Sequence, residues 1–484
     1  MTAKGAAIMV CGTSSGAGKS LLTTALARFY ARRGLKVAPF KAQNMSNNAR
    51  VVEDGEMASA QYLQALAARC IPHVQMNPVL LKPESETHSQ VILLGRRDDA
   101  LASMEWRHRS EHLWPTIRSC LTSLLSSNDL VIIEGAGSPA EINLQATDIV
   151  NMRVAVEAQA ATLLICDVDR GGAFAHLYGT YQLLPAEQRA LIRGFVLNKF
   201  RGNVELLSPG PEMLRSLTGV PVVGVLPMWR EHGLPEEDGV FDARPSGSGF
   251  SIAVVAYPGI SNLDEFAPLR SLHGVSVSWA RHVDTIAGAD LLILPGSKHV
   301  AQDLGWLRRT GLDVAIAEHV RADKPTLAVC GGLQLLGHEL LDPEGVEGAA
   351  EGLRILPLVT EFQRDKRYRR HTQVFAELQG FWKPLSGLSF DGYEIRHGRT
   401  RTVDAVDARL QPALPADCAW QMGPVLALYT HGLFENSGVL RALFGAAAPN
   451  LEDIFEALAT FAEQHIGVDT LLGLLPADSV RAMI

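Results

Sequence analysis

The chain has 484 residues, 47% of them hydrophobic and 20% charged, values that exclude a disordered or collagen-like chain. At roughly 150 residues per domain, this length accommodates two or three domains. Its 44 Lys and Arg against 52 Asp and Glu leave a net charge of −8, so the expected partner is a small molecule and no nucleic acid is expected.

The opening residues carry a single lysine and a short apolar run at 6–11 that leads into a glycine loop; they read as a buried strand, not a secretory signal. Gly12, Thr13, Ser14, Ser15, Gly16, Ala17 and Gly18 form that loop, and Lys19 and Ser20 open a helix with apolar Leu21, Leu22, Ala25, Leu26 and Phe29. Glycines let such a loop wrap, so that successive N–H groups and the helix N-terminus face phosphate oxygens. The expected nucleotide is ATP, with Lys19 supplying charge to its β and γ phosphates and Ser20 a ligand to Mg2+. The usual spacing puts a glycine where Thr13 stands; Gly12 lies one place earlier, so the loop is a longer variant.

Further apolar runs at 36–40, 130–133, 162–166, 194–197 and 222–226 alternate with helical patterns. Unbroken apolar strands separated by helices are what a parallel sheet covered on both faces requires. Strand ends then place more candidates at the carboxyl edge, where open α/β sheets bind ligands. Lys41 would meet phosphate or a substrate carboxylate, and Glu134 would hold Mg2+ or cap the next turn. Asn198, with Lys199, would read an adenine edge.

Residues 244–249 have linker composition, and a second strand series follows at 252–257, 291–294, 326–329 and 425–429. The expected organisation is a nucleotide-binding α/β domain over 1–245, a second α/β domain over 250–445 and a helical appendage over 446–484. In the appendage, Ile454, Leu458 and Phe461 recur at helical spacing. The polar stretches 84–99 and 361–372 read as loops, either solvated surface or contacts to an anionic substrate.

In the second domain the strand at 326–329 runs into Cys330, Gly331 and Gly332 and then into a helical pattern. A nucleophile on so sharp a turn is exposed, lies at a helix N-terminus that favours thiolate, and has backbone N–H groups beside it to hold an oxyanion. His431, also at a strand end, is the candidate base; Gly296, Ser297 and Gly331 are the candidate oxyanion donors. Cys11, Cys70, Cys120, Cys166 and Cys418 lack this setting. With no CxxC pair or metal-ligand spacing, the expected compartment is a reducing cytoplasm. No run approaches the roughly 18 apolar residues that span a bilayer, so no membrane partner is expected.

Together, 12–20, 39–48, 75–83, 89–92, 134–137, 329–332 and 392–395 resemble the cobyric acid synthase family, glutamine-dependent amidotransferases of cobalamin biosynthesis. The loop at 12–20 alone is shared with dethiobiotin synthetase and related ATPases; the stretches from Lys41 to Asn48 and from Met76 to Pro83 are far more specific. The resemblance implies an α/β fold: a dethiobiotin synthetase-like P-loop domain with a parallel sheet, followed by a class I glutamine amidotransferase-like domain. It also implies a corrinoid substrate, adenosylcobyrinic acid a,c-diamide, whose b, d, e and g carboxylates are amidated. Glutaminases of the triad type carry a Glu two places after the histidine, where this chain has Leu433. In this it resembles the branch that runs on a Cys and His dyad, which is expected to carry His at the place of Arg396.

On this reading Cys330 opens the amide of glutamine through a thioester, His431 moves the proton, and ATP turns a carboxylate into an acyl phosphate for ammonia to attack. Ammonia must pass between the sites shielded from water. One rival is cobyrinic acid a,c-diamide synthase, from which Lys41 to Asn48 distinguishes the chain. Another is a non-catalytic P-loop switch with a glutaminase-like module, which has no need of Cys330, His431 or the glycine elbow.

Overall fold

The computed structural model describes residues 5–53, 55–84, 89–235, 249–403, 409–415 and 417–477. The first sheet contains β1 (Ala6–Gly12), β2 (Val37–Phe40), β3 (Leu130–Glu134), β4 (Ala161–Asp167), β5 (Ile192–Phe200) and β6 (Val222–Pro227). Their order is β6-β5-β4-β1-β3-β2, and every pairing is parallel. Along β1, Met9 and Cys11 enter the core on one face of the sheet and Ile8 and Val10 the core on the other. Burial on both faces is why the strands read as unbroken apolar runs and not as alternating ones. Helix α1 (Lys19–Ala31) leaves the first loop, and α2 (Ser59–Ala67) follows a hairpin of Ala49–Val52 and Gly55–Ala58.

The second half lays down β7 (Phe250–Val255), β8 (Val275–Ala280), β9 (Leu291–Leu294) and β10 (Thr326–Val329), which leads into α3 (Gly331–Leu336). A hairpin of β11 (Leu358–Val374) and β12 (Ser389–Thr402) comes next, then β13 (Gln411–Leu414), β14 (Ala419–Met422) and β15 (Val425–Leu428). The second sheet has the order β8-β7-β9-β10-β15-β14-β13, parallel as far as β15 and antiparallel beyond it. Among the described residues, no helix is long and apolar enough to cross a membrane.

Three expectations need revision or qualification. The stretch 361–372 is part of β11, where pairing with β12 satisfies the backbone; its polar residues report exposure, not the absence of a strand. Likewise Ser89–Leu93 and Arg96–Arg97 are strands, while 85–88 lie outside the described residues, as does the linker at 244–248.

The C-terminal pattern does form a helix, α4 (Leu451–Ile466), capped by the Asn450 side chain on the Asp453 N–H at 2.8 Å. It packs on α1 of the first half, where Arg28 meets Glu452 at 2.9 Å and Glu456 at 3.2 Å. Phe455, Leu458, Ala459 and Ala462 are buried in the core beneath α1. The chain therefore returns to the nucleotide-loop half after building the second.

Candidate active site

The loop between β1 and α1 turns at Gly16 (φ +69°) and Gly18 (φ +100°), with Ser15 and Gly16 at its exposed crest. A Cβ at Gly18 would overlap the amide of Asn198, whose nitrogen donates to the Ala17 carbonyl at 2.8 Å. Lys199 donates to the Gly16 carbonyl at 2.7 Å and to Asp167 at 3.0 Å. Asn198 and Lys199 thus brace the loop from beneath. Asp167 escaped the sequence reading, although its place at the end of β4 marks it. Thr13 N–H donates to Ile165 O at 3.0 Å, which ties the loop that starts at Gly12 to β4. Lys19 Nζ folds over the loop onto the carbonyls of Ser14 at 2.9 Å and Gly137 at 3.1 Å.

Ser20 and Glu134 meet as expected: the hydroxyl donates to Glu134 Oε1 at 3.0 Å. Lys41 reaches the same oxygen at 2.8 Å, and Gln64 of α2 donates to the other. Burial would raise the Glu134 carboxyl, but Lys41 and these hydrogen bonds hold it below its ordinary value. An ionised carboxylate beside a hydroxyl is an oxygen-only donor set that fits Mg2+, an ion that keeps water and phosphate oxygens in its shell. Among the described residues no group of three or more His, Cys, Asp and Glu could hold a metal.

In the other half, Cys330 stands between β10 and α3 at φ +50° and ψ −103°, a backbone that L residues adopt only under strain. Gly331 and Gly332 follow because a Cβ on either would overlap the backbone of Ser297 or Leu294. The elbow therefore rests on 294–297, with the Ser297 nitrogen beside Gly331. Gly296 in turn abuts Ser261 and the His431 ring. The Cys330 sulfur lies 3.7 Å from the Ile395 carbonyl, and Cys330 and His431 line the same cavity.

His431 has a further partner that the expected dyad lacked. Its Nδ1 is 2.8 Å from Glu265 Oε1, and Glu265 Oε2 accepts the Gly432 N–H at 2.8 Å. Both side chains are buried. Burial alone would push the imidazole down, yet Glu265 and the thiol raise it to about 10. Leu433 does occupy the usual place of the acid; the charge arrives instead from the 3-10 turn Leu263–Phe266, which follows the short strand Ile260–Ser261. The adjacent acids Asp264 and Glu265 just past a strand's carboxyl end were the available signal. Tyr393 stacks on His431 with centroids 5.3 Å apart. Arg396 donates to Glu394 at 2.7 Å and to Gly398 O at 2.6 Å, lies 3.7 Å over the Tyr429 ring, and lines the same cavity as Cys330.

Cys330, Gln334 and His431 open into a narrow cavity that Asn47 and Lys82 of the first half help to line. Around it the halves interlock. Asn262 accepts the Ala49 N–H at 3.0 Å, Asn48 accepts the Leu263 N–H at 3.1 Å, and buried Arg50 pairs with Asp264 and Glu435.

A phosphate loop on one α/β half and, on the other, a Cys, His and Glu chain at a cavity that Asn47 and Lys82 of the first half help to line define a glutamine amidotransferase-type ligase. Family models agree: residues 8–236 match the CobQ/CobB/MinD/ParA nucleotide binding domain, and residues 251–439 the CobB/CobQ-like glutamine amidotransferase domain. The cobyric acid synthase of Variovorax paradoxus (strain S110) is 58% identical, covering 97% of this chain and 99% of its own. That of Leptothrix cholodnii is 58% identical over 97% of each, and that of Acidovorax ebreus (strain TPSY) 59% identical over 95% and 97%. The chain belongs to the cobyric acid synthase family, and its function lies in cobalamin biosynthesis.

Proposed function

We propose that the chain amidates the b, d, e and g carboxylates of the corrinoid adenosylcobyrinic acid a,c-diamide, using ATP, Mg2+ and glutamine. The observation that carries this reading is the chain of Cys330, His431 and Glu265 opening into a cavity lined in part by the nucleotide-binding half. The division of labour is synthetase chemistry in 1–245 and glutamine hydrolysis in 250–445. Helix α4 of the segment 446–484 supports the first. A reducing cytoplasm suits a free thiol.

An imidazole raised to about 10 is held as imidazolium at neutral pH, with a proton to give the leaving ammonia. The Cys330 thiolate attacks the amide carbon of glutamine, and the N–H groups of Ser297 and Gly331, with Gly296 shaping the wall, hold the oxyanion. His431 passes its proton to the departing ammonia, and water then releases glutamate from the thioester. Ammonia freed in this narrow cavity stays unprotonated and nucleophilic.

In the other half, the N–H groups of residues 12–18 and the Lys19 ammonium hold the phosphates, and Asn198 keeps the loop in shape. Ser20 and Glu134 would hold Mg2+, which when bound neutralises charge on the phosphate oxygens. Lys41, beside Glu134, would meet the transferring phosphoryl group. The substrate carboxylate takes the γ-phosphoryl group to form an acyl phosphate, and ammonia displaces phosphate from it. Cys330→Ala should abolish glutamine-dependent amidation and leave ammonium-supported amidation in place. Loss of both would overturn the division.

A further inference from the structure

The cavity beyond Cys330 holds charges that neither the thiol nor the phosphate chemistry uses. Glu56 of the first half is fully buried; Lys82 pairs with it, Lys366 reaches it at 2.5 Å and Tyr368 donates to it at 3.3 Å. Lys298, also on the cavity wall, donates to Gln90 of the first half at 2.8 Å. Both lysines of the glutaminase half are thus fixed by side chains of the other.

Lys82, Lys298 and Lys366 face two carboxylates, Glu56 and Glu347, where water is scarce; burial holds Lys82 well below its ordinary value and raises Glu347 to about 7, which leaves an excess of one basic over acidic side chains. Its neighbours register it: burial and then Lys366 bring Lys298 down to about 8, and burial with Lys366 and Lys298 brings His397 down to about 3. Unbalanced positive charge in such a space calls for an anion. On the same cavity wall two acceptors lack donors. Glu347 Oε2 and His397 Nε2 are buried without a hydrogen-bond partner. His397 Nδ1 is 2.9 Å from the Gln363 carbonyl, which makes that nitrogen the donor and leaves Nε2 as an acceptor. Two bare acceptors match an ammonium group, which offers three donors.

An α-amino acid carries both charges on one carbon. Resting on the glutaminase reading above, we infer that Lys298 and Lys366 receive the α-carboxylate of glutamine while Glu347 and His397 receive its α-ammonium. The site then selects the whole amino acid and not primary amides in general. Glu56 and Gln90 act through the two lysines as positioning residues, so the synthetase half builds part of the glutamine receptor.

Ammonia release by the full chain, with ATP and corrinoid present, is to be measured on L-glutamine, on 4-carbamoylbutanoate, which lacks the α-amino group, and on 4-aminobutanamide, which lacks the α-carboxylate. Each analogue should lose roughly 10- to 100-fold in kcat/KM, the loss of one charged hydrogen-bonding group. Glu347→Gln should raise the KM for glutamine far more than it lowers kcat, and should shrink the preference over 4-carbamoylbutanoate. Lys298→Met should do the same against 4-aminobutanamide. Ammonium-supported amidation reports folding of each variant. Near-equal kcat/KM on all three amides by the unaltered chain, or full discrimination in both variants, would overturn the assignment. Absence of any ammonia release from glutamine would instead overturn the glutaminase reading itself.

Discussion

Glu265→Gln removes one charge from a buried chain and leaves its shape. The native carboxylate divides its oxygens between His431 Nδ1 and the Gly432 N–H, each at 2.8 Å. In the variant the Gly432 N–H still needs an acceptor, so the amide oxygen stays there and the amide NH2 faces Nδ1. Nδ1 must then accept, the proton moves to Nε2, and the ring can no longer take the Cys330 proton. Loss of a charged hydrogen bond amounts to about 1.5–3 kcal/mol, and 1.36 kcal/mol corresponds to one pKa step. The imidazole, native at about 10, should therefore fall by about 1–2 pH steps, and the alkaline limb of glutamine hydrolysis with it. The tautomer error should lower kcat by roughly 100- to 10,000-fold, the upper end being the serine-protease precedent. The sign carries over to stability. A folded pKa above the unfolded 6.5 gives a contribution complete below pH 6.5 and lost as pH rises toward 10, so the native chain should lose more stability across that window than the variant. Glutamate release against pH, beside ammonium-supported amidation, checks all of this. A variant with native turnover and an unmoved alkaline limb would refute the role of Glu265.

Two further substitutions test the first half. Gly18→Ala puts a Cβ into the Asn198 amide at a φ of +100°, and nucleotide titration should show binding weakened by at least roughly 10-fold, since the loop must open or lose its brace. Replacing Glu452 and Glu456 together by Ala leaves buried Arg28 without its acids. The expected loss is roughly 2–3 kcal/mol in urea unfolding, below the value for fully buried pairs because the two carboxylates are 63% and 40% exposed.

What the sequence makes legible is local. The phosphate loop shows because its glycines, lysine and serine are contiguous and sit between a strand and a helix. The Cys330 elbow shows for the same reason, since a Cβ after the nucleophile would strike the neighbouring strand end. What it hides is joined across the chain: Glu265 reaches His431 over 166 residues, Lys298 meets Gln90 over 208, and Arg50 meets Asp264 over 214. No periodicity encodes such pairs. Helix α4 is an intermediate case. Its apolar spacing announces a helix, but the acids on its other face point to Arg28 only once the fold is known. In β11 the error has another source, since a strand exposed on a polar hairpin carries none of the apolar signal by which buried strands are recognised.

The stretches that carry the family resemblance take part in this hidden geometry. Asn77 donates to the Lys41 carbonyl at 3.1 Å and accepts the Ala58 N–H at 3.2 Å, which sets the strand end from which Lys41 reaches Glu134. A few residues on, Asn48 and Arg50 clasp the turn at 262–264 whose next residue is Glu265. Lys82, from the same group of motifs, grips Glu56 at the wall of the Cys330 cavity. One patch of the first half thus positions Lys41 at one end and the acid behind His431 at the other. Its side chains answer to two sites at once, so a replacement that suits one is constrained by the other.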